Sequence, residues 1–65
     1  MKNGGYTIVT LAQNSFGDKY ALGFGELEAQ QWVVWHTDGK GSFWGGQYFW
    51  KMSGCAKYFE KVTDR

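Results

Sequence analysis

Proline is absent from the 65 residues and cysteine occurs once. Without proline, no strand or helix meets a ring-imposed break. With one cysteine there is no internal disulfide, so a chain near the lower size limit for a single core lacks the usual staple of small domains. Charge of one sign is lacking too. Lys+Arg 7 against Asp+Glu 6 gives a formal net charge of +1, which argues against a protein built mainly to grip a nucleic-acid backbone. No apolar run is long enough to span a bilayer, and no charged-then-apolar leader for export is visible. A lone free cysteine makes the cytoplasm the expected compartment. One histidine, His36, has no partners of suitable number and type for zinc, so no metal, cofactor or catalytic residue is expected.

What the chain does have is aromatic residues: Trp 4, Tyr 4 and Phe 5, each able to bury roughly 150–250 Å². They concentrate in Gln30–Trp50, QQWVVWHTDGKGSFWGGQYFW. Trp32-Val33-Val34-Trp35 and Phe43-Trp44 with Tyr48-Phe49-Trp50 are β-branched and aromatic runs suited to a pleated surface. Asp38-Gly39 between them is a hairpin signal. Two turns fit. A two-residue type I′ turn on Asp38-Gly39, the preferred reading, puts Val33, Trp35, Trp44, Gly46 and Tyr48 on one face and Trp32, Val34, His36, Phe43, Gly45 and Phe49 on the other. The rival begins a type I turn at Asp38 and makes Gly41 left-handed, and a one-residue slip between such registers exchanges faces. Neither face is polar, as expected of a sheet covered on both sides. Gly45-Gly46 predicts a bulge or a close backbone approach.

Before the hairpin, Met1–Gly5 reads as a frayed start. Tyr6–Ala12 reads as a strand with Tyr6 and Ile8 on one face and Val9 and Leu11 on the other. Gln13–Asp18 is a turn, and Lys19–Phe24 is a second antiparallel strand alternating Tyr20, Leu22 and Phe24 with Lys19, Ala21 and Gly23. Gly25–Ala29 is a connection with room for one helical turn. After the hairpin, Met52, Cys55, Ala56, Phe59 and Val62 form a helical stripe, with Ser53 as N-cap. A helix this short needs docking to persist. The expectation is one α+β domain, residues 1–65: a small antiparallel sheet of three to four strands, order β-β-β-β-α, with one C-terminal helix packed on one face.

Val33-Val34-Trp35, Asp38-Gly39, Phe43-Trp44-Gly45, Tyr48-Phe49 and Ala56 together resemble a pattern in small uncharacterised proteins of mobile genetic elements, chiefly from Firmicutes. The pattern covers about half of the chain and is structural rather than catalytic. Gly46-Gln47 stands where the pattern has one residue, which puts the strand register in question. The resemblance implies an accessory or conjugation-associated role and names no ligand.

Other fragments reduce to structure. Gly39-Lys40-Gly41-Ser42 lacks the spacing and the strand–helix setting of a phosphate loop, and Gly23-x-Gly25 lacks its third glycine. Lys40-Gly41-Ser42-Phe43-Trp44 is similar to the Lys-Gly-aromatic strand of RNA-binding sheets only at its ends. Cys55 falls on the apolar stripe as a small buried hydrophobe, His36 flanks a turn at the surface, and Glu26 and Glu28 lie on a solvated edge.

Two functions remain. The first is a non-catalytic module that binds a partner protein, or a second copy as a homodimer, through Trp32, Phe43, Trp44, Tyr48 and Trp50, residue types enriched where interfaces concentrate their energy. A mobile-element protein that inhibits a host system is one version. The alternative is single-stranded nucleic-acid binding by stacking bases on the sheet, at about 1–3 kcal/mol per base. One short helix cannot cover both faces of the sheet, so at least two of Trp32, Trp35, Trp44 and Trp50 are expected to remain partly exposed or to sit in an interface.

Overall fold

The computed structural model describes all residues, Met1–Arg65. Five antiparallel strands, β1 (Lys2–Asn3), β2 (Tyr6–Gln13), β3 (Lys19–Phe24), β4 (Trp32–Thr37) and β5 (Phe43–Phe49), lie in the order β1-β2-β3-β4-β5. Helix α1 (Met52–Thr63) follows. The class is the expected α+β, with one strand more than expected. Met1–Gly5 is not frayed: Gly4, at φ 60°, turns the chain so that Lys2 and Asn3 pair with Thr7 and Tyr6. Two residues carry no periodicity for a sequence reading to find.

Helix α1 covers one face of the sheet. Cys55 and Val62 are buried against Tyr20, Leu22 and Val34, with Trp32, Phe49, Tyr58 and Phe59 packed around them. The stripe differs in detail from Met52-Cys55-Ala56-Phe59-Val62. Met52 and Ala56 are exposed, Phe59 is only half-buried, and Tyr58 faces inward against Phe49 at a ring separation of 5.6 Å. Ser53 is not the N-cap. Lys51 occupies that position, with extended backbone and no side-chain cap bond.

The other face closes on itself. Trp35 is buried there with Ala21 and Val33, and Tyr6, Ile8 and Phe43 pack around them. Two glycines make room for its indole. A Cβ on Gly23 would stand 2.8 Å from Trp35 Cζ3, and one on Gly46 would stand 2.9 Å from Trp35 Nε1. Tyr6 meets Trp35 edge-on at 5.4 Å and Tyr48 at 6.0 Å. Neighbouring strands run roughly 4.8 Å apart, so β2 and β5, with two strands between them, would stand about 14 Å apart in a flat sheet. The sheet is curled until side chains of β2 and β5 meet across it. Both faces are therefore apolar because one packs under the helix and the other packs on itself.

A bulge at Val9 tightens the curl. Ile8 pairs with Gly23 and Thr10 with Leu22. The extra residue brings Leu11, opposite Ala21, onto the face of Tyr6 and Ile8 rather than the other face. At the far end of the β2–β3 hairpin, Asn14 is buried and ties three segments together. Its Oδ1 accepts the Phe16 and Asp18 amides at 3.0 Å, and its Nδ2 donates to Val62 O at 3.1 Å. Ser15 N adds a bond to Arg65 O. The turn thus satisfies a carbonyl that the end of a helix leaves without a partner.

Candidate functional site

The β4–β5 hairpin carries all five candidate residues, and its register decides what they can do. Thr37 pairs with Phe43, so the connection is the five residues Asp38–Ser42 and not a two-residue turn on Asp38-Gly39. Asp38 organises it: Oδ1 accepts the Lys40 amide at 2.7 Å and the Ser42 amide at 3.1 Å. These bonds hold the Asp38 carboxyl below its usual range. Gly39 and Gly41 take positive φ, 76° and 108°. Neither expected turn forms: Gly41 has positive φ as in the rival reading, but Gly39 at φ 76° rules out a type I turn begun at Asp38, and the Asp38 carboxylate instead collects two amides of a longer loop.

An odd change in loop length exchanges the faces of the residues after it. Phe43 therefore lies beside Trp35, at 5.5 Å, and Trp44 beside His36, the reverse of the expected assignment. A bulge then restores the alternation. Val34 pairs with Gln47 while His36 pairs with Trp44, and Gly45 takes φ 62°. Beyond the bulge, Tyr48 opposite Val33 and Phe49 opposite Trp32 lie on their expected faces. Gly45-Gly46 is thus both a bulge and a close approach, Gly45 to His36 and Gly46 to Trp35.

The five residues do not share a face. Trp32 is half-buried against the helix-side core and Phe24, ring to ring at 4.6 Å. Phe43 is half-buried on the curled side. Trp44, Tyr48 and Trp50 remain 53%, 45% and 69% exposed. Trp44 lies on the helix side of β5, Tyr48 on the curled side, and Trp50 just past the strand's end. What they have in common is the strand. β5 is the last strand of the sheet, and no strand pairs with its outer side. The candidate site is therefore an edge with aromatic flanks, and Trp32 and Phe43 belong to the core.

His36 is not a free surface residue. It is half-buried, with Tyr20 at 4.8 Å on one side and Trp44 stacked at 6.1 Å and 12° on the other. That row props Trp44 in place. Pattern reading missed it because its members come from β3, β4 and β5. Met52, at the start of α1, is also exposed, at 59%.

The rest of the surface offers little chemistry. Cys55 is buried and its thiol is pushed up to about 11 by desolvation, the opposite of what a nucleophile needs. Tyr6 has its phenol raised by desolvation and by the nearby Glu28 carboxylate, and it donates to Gln30 O at 2.8 Å. No group of three or more His, Cys, Asp or Glu stands together as a metal site. No helix is long and apolar enough to cross a membrane. The largest concavity, about 530 Å³, is an open depression along the solvent side of α1, lined by charged side chains with Gly54 and Tyr58. No protein-family model, curated protein or solved structure matches this chain.

Proposed function

We propose that the chain is a small non-catalytic interaction module that captures a partner polypeptide, another protein or a second copy of itself, along the outer side of β5. The observation that carries this reading is the character of that edge. From Gly41 to Trp50 the sequence has no charged residue, and Trp44, Tyr48 and Trp50 flank the strand in exposed positions. Proteins ordinarily protect an open edge with lysine, proline, a bulge or a covering segment. β5 has only the Gly45-Gly46 bulge. An added strand would gain main-chain hydrogen bonds from the edge and apolar contact from the three side chains, the mode by which sheet edges bind extended peptides. The resemblance to small proteins of mobile elements supports a setting in which the partner is a host protein and the module an accessory or inhibitor.

The test is capture from the native host with wild-type protein and with Trp44→Ser/Tyr48→Ser/Trp50→Ser, followed by binding of the purified captured protein. A partner retained by wild type and lost by a folded triple variant supports the reading. Equal retention by both contradicts it. Titration with a single-stranded oligonucleotide separates the alternative. Affinity that falls steeply with salt would establish nucleic-acid binding instead.

A further inference from the structure

Two of the hairpin connections carry the same reactive pair, an Asx residue followed by glycine: Asn3-Gly4 between β1 and β2, and Asp38-Gly39 between β4 and β5. We propose that Asn3 is a site of spontaneous deamidation, with water as the co-reactant, and that the reaction unfastens β1 from β2.

The chemistry needs a free main-chain nitrogen beside a free side-chain carbonyl carbon. The Gly4 nitrogen attacks Asn3 Cγ, and the new N–Cγ bond closes a succinimide ring. The Cγ–Nδ2 bond breaks, and Nδ2 leaves as ammonia with the proton from the Gly4 amide. Water then adds to one of the two ring carbonyls and opens the ring. One opening leaves aspartate at this position. The other leaves isoaspartate, whose main chain runs through Cβ and Cγ. Glycine favours the attack because it has no Cβ to crowd the approaching nitrogen.

Hydrogen bonding separates the two turns. The Asn3 side chain makes no hydrogen bond within the chain, and Gly4, between the strands, has its N–H unpaired. β1 is held by two residue pairs, Lys2 with Thr7 and Asn3 with Tyr6, and by Ile8 N–H donating to Met1 O at 2.8 Å. So short a pairing opens at little cost, which frees Cγ to swing onto the nitrogen. In the other turn, Gly39 N–H donates to Thr37 Oγ1 at 3.0 Å, and Asp38 Oδ1 holds the Lys40 and Ser42 amides. Asn14 is buried, with Oδ1 and Nδ2 both bonded. Those two residues are closed to the same attack. Conversion matters for the fold because the Glu28 carboxylate lies against Gly5 of the same turn. Either product adds a second carboxylate there and takes the formal net charge from +1 to 0, and like charges repel. Isoaspartate also lengthens the main chain, so Lys2 no longer falls opposite Thr7.

Ageing of the folded protein in mildly alkaline buffer, followed by peptide mapping and labelling with an isoaspartate-specific methyltransferase, tests the site. The expected product shows the mass gain of NH exchanged for O, and isoaspartate label, at Asn3, with Asn14 and Asp38 unmodified. Folding should slow the reaction at Asn3 by less than about tenfold relative to denaturant, since frayed segments open at a free-energy cost near zero. Asn3→Gln, which would have to close a larger ring, should keep its charge through the same treatment. In the converted fraction, separated by charge, the Ile8 amide should exchange faster than in unconverted protein, while the β3 and β4 amides keep their rates. An Asn3 as strongly protected by folding as Asn14, label appearing at Asp38 as fast as at Asn3, or a converted fraction whose Ile8 amide exchanges as before would each overturn the proposal.

Discussion

Tyr6, on the second strand, and Tyr48, on the fifth, meet with ring centroids 6.0 Å apart, although two strands lie between them. Trp35 fills the hollow beneath, over Gly23 and Gly46. This closure buries the sheet face that the helix does not reach. It also fixes the path of β5, so the geometry of the open edge depends on Trp35 in the core of the curled face.

Enlarging Gly46 should disturb both core and edge. Its Cβ would stand 2.9 Å from Trp35 Nε1 and 2.9 Å from Tyr48 Cε1, and the buried indole of Trp35 has no room to give way. Overpacking of this kind costs about 1–3 kcal/mol, a large share of the stability of a small domain. Thermal unfolding of Gly46→Ala should show a clearly lowered midpoint. An unchanged midpoint would mean that Trp35 is not held between the two glycines.

Asn14 makes a separable prediction. Asn14→Ala removes the acceptor for the Phe16 and Asp18 amides and the donor to Val62 O. Leaving buried groups without partners costs about 1–3 kcal/mol. Chemical denaturation should report that loss, together with faster amide exchange at the end of α1. A variant as stable as wild type would show that the hairpin turn does not hold the helix.

These two sites show what a single sequence can and cannot reveal. Strands β2 to β5 and helix α1 announce themselves through alternation and through the Cys55-Phe59-Val62 spacing, because those patterns are local. The curl does not. It depends on a tryptophan finding glycines on β3 and β5, and only an aromatic residue facing bare positions on neighbouring strands hints at it. The faces of Phe43 and Trp44 were unreadable for a narrower reason: a loop longer by an odd number of residues inverts them, and a bulge reverts the strand beyond. Asn14 reads as an ordinary turn residue, since nothing in Gln13–Asp18 points to a helix end far along the chain. For the candidate site, the sequence identified Trp44, Tyr48 and Trp50 as aromatic but could not separate them from Trp32 and Phe43, which the core takes.

Cys55 predicts a pH and reactivity signature. Its thiol is raised from 9.0 to about 11 by burial. Folding therefore favours the protonated form. The stability that this contributes is fully present below pH 9, where the unfolded thiol is still protonated, and is lost as pH rises toward 11. Alkylation by iodoacetamide at pH 8 should be slow in the folded protein and fast in denaturant. Rapid modification of the folded protein would place the thiol at the surface.

Trp44 and Trp50 should separate binding from folding. Both are more than half exposed, and exposed substitutions usually change stability by no more than about 0.5 kcal/mol. Trp50→Ser should unfold close to wild type, with Trp44→Ser slightly lower because it gives up the stack on His36. Each should weaken partner binding by about tenfold or more, as interface tryptophans do. Variants that unfold early, or that bind as wild type does, would return these residues to the core or to inert surface.

The most direct measurement is amide hydrogen exchange along β5, followed in the isolated protein from low to high concentration and again with the captured partner. If the edge binds polypeptide, amides within Gly45–Phe49 gain protection as it becomes occupied, while those of Val9–Gln13 on the opposite edge keep their rates. Unchanged exchange in Gly45–Phe49 under both conditions, or protection appearing only on β2, would contradict the account.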